Sequence, residues 1–216
     1  MIFRVSLGIL FFAFFLQYLR ADLLARGLAG KKSAPASFWN HLVYGKKFVA
    51  PAVFAAAIVF IIGYYSSLTY SQYLLWRAGP PTTYFLPPHR TIFYLLGYHF
   101  TRFLLYYLVS LIVAISFMFL AAKSNKKSGE KFFDSEEPYL GALAIFLLGN
   151  RAWFLGWTWI FYFLALGGLY LLSHLFWGVK NKIAKKRGAI RLPLYWLWLL
   201  TAILVMCAAQ FSIFNF

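Results

Sequence analysis

The sequence predicts an all-α integral membrane protein with about six transmembrane helices, the fourth of them short or re-entrant. Three observations predict it. The chain is 62% hydrophobic and only 12% charged, whereas a soluble domain is nearer half apolar and a quarter charged. Its apolar residues form several runs that reach the roughly 20 residues needed to cross a bilayer. Most of its 21 Lys and Arg residues fall in three stretches between those runs, at 20–47, 123–131 and 180–191. The whole of 1–216 therefore reads as a single polytopic membrane domain, with spans at about 3–19, 48–68, 92–121, 139–155, 157–177 and 193–214.

The first span continues as an interfacial helix. Arg20, Asp22, Leu23, Leu24 and Arg26 mix charged and apolar residues at helical spacing. Gly27, Gly30 and Pro35 break it. The aromatic residues Phe38, Trp39 and Tyr44 that follow suit a headgroup layer. The second span carries Pro51 in its first turn, where a missing N–H costs little. It runs on toward Trp76 with Tyr64, Tyr65, Tyr70 and Tyr73 at the interface. The loop 77–90 holds Pro80, Pro81, Pro87 and Pro88 and is not helical throughout.

The third run, 91–122, exceeds one crossing. It is either tilted or begins at the interface. Pro138 opens the next helix, with acids beside its positive dipole end. The stretch 139–149 would reach only roughly 16 Å as a helix. It is a re-entrant element or the start of a span that ends near Leu155. The last two runs are strongly apolar, and Gly167 and Gly168 allow close packing or a kink in the first of them. The chain has no evident internal repeat.

Charge placement orients the spans. If 139–155 crosses, all three basic stretches share one side, and Arg4, Arg77, Arg90 and Arg151 share the other. The positive-inside rule then places both termini outside, in a cell (plasma) membrane of bacterial type. The first span reads as uncleaved, because no clear cleavage site follows it.

The formal net charge of +16 would suggest nucleic acid in a soluble protein. Here the cations sit in short loops between spans, so the expected partners are anionic lipid headgroups and other membrane proteins, not nucleic acid. Cys207 is the single cysteine and lies in an apolar run, which excludes an intrachain disulfide and a cysteine metal cluster. His41, His89, His99 and His174 lack zinc-ligand spacing. No metal or other cofactor is expected.

Two sets of residues stand out. His99 and Arg102 are three apart and so share a helix face. Ionisable groups at membrane depth are costly and mark functional sites by default. With Arg151, and with His89, Arg90 and Asn150 at similar height, they form a candidate anion site. The bland alternative has Arg102 snorkelling to the headgroups and His99 bonded to a tyrosine or a backbone carbonyl. The second set is Asp134, Glu136 and Glu137. Such acids can share a proton or activate water, or simply cap a helix and balance Lys126, Lys127 and Lys131.

Glu137-Pro-Tyr-Leu140, the following Gly141 to Gly149 segment, and Arg191-Leu-Pro193 before the last run are similar in outline to the membrane region of prepilin peptidases. Leu86 to Thr91 resembles a motif that in that family follows the first catalytic Asp. That Asp and the motif glycines are missing, and Glu137 stands where the family requires Asp. The resemblance implies at most a catalytically degenerate membrane aspartic protease. The leading expectation is a non-catalytic accessory or scaffold subunit of a membrane assembly. Its alternative is a protein that handles anionic lipid or a lipid-linked substrate.

Overall fold

A computed structural model describes residues 2–25, 49–127, 136–149, 158–183 and 195–210. The described chain is all-helical, 91% of it helix, with no strand. Its helices are α1 (Ile2–Ala25), α2 (Val49–Arg77), α3 (Ile92–His99), α4 (Leu105–Lys127), α5 (Glu137–Leu147), α6 (Thr158–Ile183) and α7 (Tyr195–Gln210). Among the described residues two stretches are long and apolar enough to cross a bilayer, Ala50–Arg77 and Ile92–Lys127.

The second of these is one continuous rod. A π-helical turn, Phe100–Leu104, joins α3 to α4, and the Leu105 N–H bonds the Phe100 carbonyl five residues back. Its 36 residues extend roughly 54 Å at 1.5 Å each, well beyond the roughly 30 Å of a hydrocarbon core. The long apolar run of the sequence is thus a single helix with an inserted residue in one turn, a feature that apolar patterning does not encode.

The short fourth element is the centre of the fold. Every described residue of 136–149 is buried except half-buried Tyr139. Helix α5 is therefore apolar all round for a structural reason, because α1, α2, α4 and α7 surround it. It runs antiparallel to α4. A methyl group at Gly141 would lie 2.5 Å from Phe117 Cε1, and one at Gly149 would lie 2.6 Å from Ser110 Cβ and 3.0 Å from the Tyr106 carbonyl oxygen. Both glycines are needed because neighbouring atoms occupy the space of a side chain.

Polar side chains tie this centre together. Ser110 donates to the Ile145 carbonyl, joining α4 to α5. The hydroxyls of Ser6 and Tyr107 lie 2.7 Å apart and join α1 to α4. The Tyr162 hydroxyl donates to the Trp198 carbonyl at 3.2 Å and joins α6 to α7. Phe117 packs against both Phe163 and Trp198, at 5.9 and 5.3 Å between ring centroids.

The outer faces are the reverse of a soluble protein's. Phe12, Val59, Phe93, Ile112, Leu164 and Leu175 are all more than half exposed. They belong to five different elements, so the apolar exterior is continuous in character around the bundle and is not one patch.

The proline-rich loop is ordered into a cap on α2. The Thr82 hydroxyl donates to the carbonyls of Gly79 at 2.7 Å and Trp76 at 3.2 Å, supplying a partner at the end of α2. A 3-10 turn, Thr82–Phe85, follows, and the Leu86 carbonyl then accepts from the N–H groups of His89 and Arg90. Trp76, Leu86 and Leu95 form a small second core, with Tyr73 and Tyr98 packed against it.

Candidate functional site

The π turn decides how His99 and Arg102 are presented. In an α-helix three residues' separation keeps both on one face, but the wider turn rotates Arg102 away. His99 is buried, with 4% of its surface exposed, while Arg102 is exposed. Tyr98 links them. Its ring lies 5.5 Å from that of His99 and 4.9 Å from the Arg102 guanidinium carbon. The two residues therefore touch one tyrosine without facing one space.

His99 sits in an aromatic enclosure. Phe103 stacks on it at 5.5 Å and 30°, one helical turn onward, and Tyr65 of α2 meets it edge-on at 6.4 Å. Neither ring nitrogen hydrogen-bonds to any described residue. The tyrosine or backbone hydrogen bond expected for it is thus replaced by ring contacts. The Tyr65 hydroxyl instead donates to the Leu96 carbonyl at 3.4 Å.

Beside this enclosure, Ile61, Tyr64, Tyr65, Phe103, Leu104 and Tyr107 line a narrow cleft of about 10 Å³. That is room for about one water, not for an organic substrate.

His89 and Arg90 are exposed at the far end of the cap, where Tyr84 packs on His89 at 4.9 Å and Arg90 lies 5.9 Å from the Tyr94 ring. From Thr91 to Arg102 is roughly 16 Å along the helix. The similar height expected of these groups is not met, because the rod separates His89 and Arg90 from Arg102 along its axis. Arg151 and Asn150 lie outside the described residues.

The acids divide in the same way. Asp134 lies outside the described residues, while Glu136 and Glu137 are buried, at 7% and 3% exposure. Glu136 occupies the N-cap position of α5 without a side-chain capping hydrogen bond, and Glu137 and Pro138 form the first turn. Their place at the positive end of the helix matches the expectation, but their burial does not follow from it. Burial results from α5 lying at the centre of the bundle. His41 and the side chain of His174 lie outside the described residues. Among the described residues no cluster of three or more His, Cys, Asp or Glu is arranged to hold a metal ion.

The aromatic enclosure is not legible in the sequence, because Tyr65 and His99 are brought together only by the pairing of α2 with α3. Ser110 carries one local signal, a hydroxyl in the middle of an apolar run. No family model matches the chain, and neither a curated protein nor a solved structure matches it.

Proposed function

We propose that the chain is a six-span membrane protein acting as a non-catalytic scaffold or accessory subunit of a membrane assembly, with both termini outside a cell membrane. The observation that carries this reading is the bundle's inversion. A short helix is buried on all sides, and the helices around it turn large apolar side chains outward. Such a surface suits lipid and partner helices.

Register supports the topology. The Ser6–Tyr107 contact puts exposed Arg4 near the Arg102 end of α4, as an outside N-terminus requires. Helix α5 and its final turn climb from the level of Phe117 to that of Tyr106. Tyr106 is four residues, roughly 6 Å, from Arg102. Little further chain is needed to complete a crossing. A re-entrant α5 is favoured by two contacts near the start of α6: Phe163 with Phe117, toward the lysine end of α4, and Tyr162 with Trp198, which itself packs on Phe117.

The assembly reading is tested by extracting full-length protein from its native membrane in mild detergent and resolving it by size. Co-migration with a second membrane protein at fixed stoichiometry is expected. Migration as a lone chain in its detergent shell overturns it.

The lipid-handling alternative is favoured by the exposure of Arg102 beside Tyr98. Burial of Glu136 and Glu137 gives no comparable support to a hydrolase.

A further inference from the structure

We propose that Arg102 binds the phosphate of an anionic phospholipid in the leaflet at the arginine end of the α3–α4 rod. This deepens the lipid-handling alternative and rests on the membrane reading above.

The first argument is spacing. Phe103 to Ala122 is a stretch of 20 residues without Asp, Glu, Lys, Arg or His, bracketed by Arg102 and Lys123. As a helix it spans roughly 30 Å, the thickness of a bilayer's hydrocarbon core. If Lys123 marks one boundary, Arg102 marks the other. The eleven residues before Arg102, roughly 16 Å of helix, the end of α2 and the proline loop then stand in the headgroup layer and beyond it. Their aromatic cap of Tyr73, Trp76, Phe85, Tyr94 and Tyr98 is the composition of that layer.

The second argument is geometry. The Arg102 guanidinium carbon lies over the Tyr98 ring, 4.9 Å from its centroid. A ring contact uses none of the guanidinium's N–H donors, and two of them in a fork match two oxygens of a phosphate. Arg102 makes no ion pair or hydrogen bond with any described residue.

The third argument is charge. The chain has five acids, and Glu130, Asp134, Glu136 and Glu137 all follow the lysine end of α4. Of these, Glu136 and Glu137 precede Gly141, which packs on Phe117 toward the lysine end of α4, the end opposite Arg102. The oxygens abundant at its own level are those of lipid phosphates.

The test is native mass spectrometry of the full-length protein in mild detergent. It is titrated separately with phosphatidylglycerol, with diacylglycerol and with inorganic phosphate. Arg102→Leu is expected to weaken the tightest phosphatidylglycerol site about ten-fold, and Lys123→Leu to leave that site unchanged. Arg102→Lys, which keeps the charge and loses the fork, should fall between wild type and Arg102→Leu. Equal binding by wild type and Arg102→Leu overturns the proposal, as does equal affinity for diacylglycerol. Arg102-dependent binding of inorganic phosphate as tight as that of the lipid makes the ligand a free anion and also overturns it. So does retention of an Arg102-dependent protein partner in place of lipid. If Arg102→Leu does not fold, Arg102→Gln carries the same comparison. The membrane reading fails by a different result, release of the chain from membranes at high pH without detergent.

Discussion

Ser110 of α4 donates its hydroxyl to the carbonyl of Ile145, in the last turn of the short central helix. A helix leaves its final carbonyls without intrahelical partners. Two others in that turn are used locally: Leu148 N–H bonds Ala144, and Gly149 N–H bonds Phe146. Ile145 is buried completely, so its carbonyl depends on a side chain from a neighbour. Ser110→Ala should therefore lower stability by about 1–2 kcal/mol, the cost of orphaning a buried acceptor. Unfolding of the purified protein in detergent checks this. An unchanged midpoint would show that another group takes over the carbonyl.

Gly149→Ala should be more damaging than Gly141→Ala. At Gly149 the new methyl meets the Ser110 Cβ at 2.6 Å and a main-chain oxygen at 3.0 Å, neither of which moves without shifting a helix. At Gly141 the nearest atoms belong to the Phe117 and Trp198 rings. Overpacking typically costs about 1–3 kcal/mol, and the Gly149 variant should lie at the upper end. Thermal unfolding of the two variants side by side measures the order.

The Ser6–Tyr107 pair joins the first helix to the fourth, 101 residues apart in sequence. Polar pairs between membrane helices contribute about 0.6 kcal/mol on average. A double-mutant cycle of Ser6→Ala and Tyr107→Phe should return a coupling of about that size. Additive single losses would mean that the two hydroxyls do not interact in the membrane-embedded protein.

Single cysteines at Ser128 and Asn181, introduced into a Cys207→Ala background, should react with a membrane-impermeant label from the same side. That outcome follows from six crossings with the basic stretches 123–131 and 180–191 together. Labelling from opposite sides would make α5 a re-entrant element and move the 180–191 stretch across the membrane.

The sequence by itself determined the helical class and placed the long apolar helices, because apolar runs of that length exceed a strand and lack the turn residues that would break a helix. It placed Pro138 at the start of α5 and carried α2 on to Trp76, one residue short of its end, through local rules of helix starts and interfacial tyrosines. It also singled out His99 and Arg102 by the cost of charge at depth. Only the tertiary structure decided what those residues face. The π turn between α3 and α4 adds a residue to one turn, which buries His99 among Tyr65, Tyr98 and Phe103 and leaves Arg102 exposed. Likewise, nothing local in residues 137–147 distinguishes a helix facing lipid from one enclosed by other helices. Its central place, and with it the burial of Glu136 and Glu137, was set by the close approach of α4 at Gly141 and Gly149. Lipid and protein interiors are equally apolar, so hydropathy is blind to the difference between them.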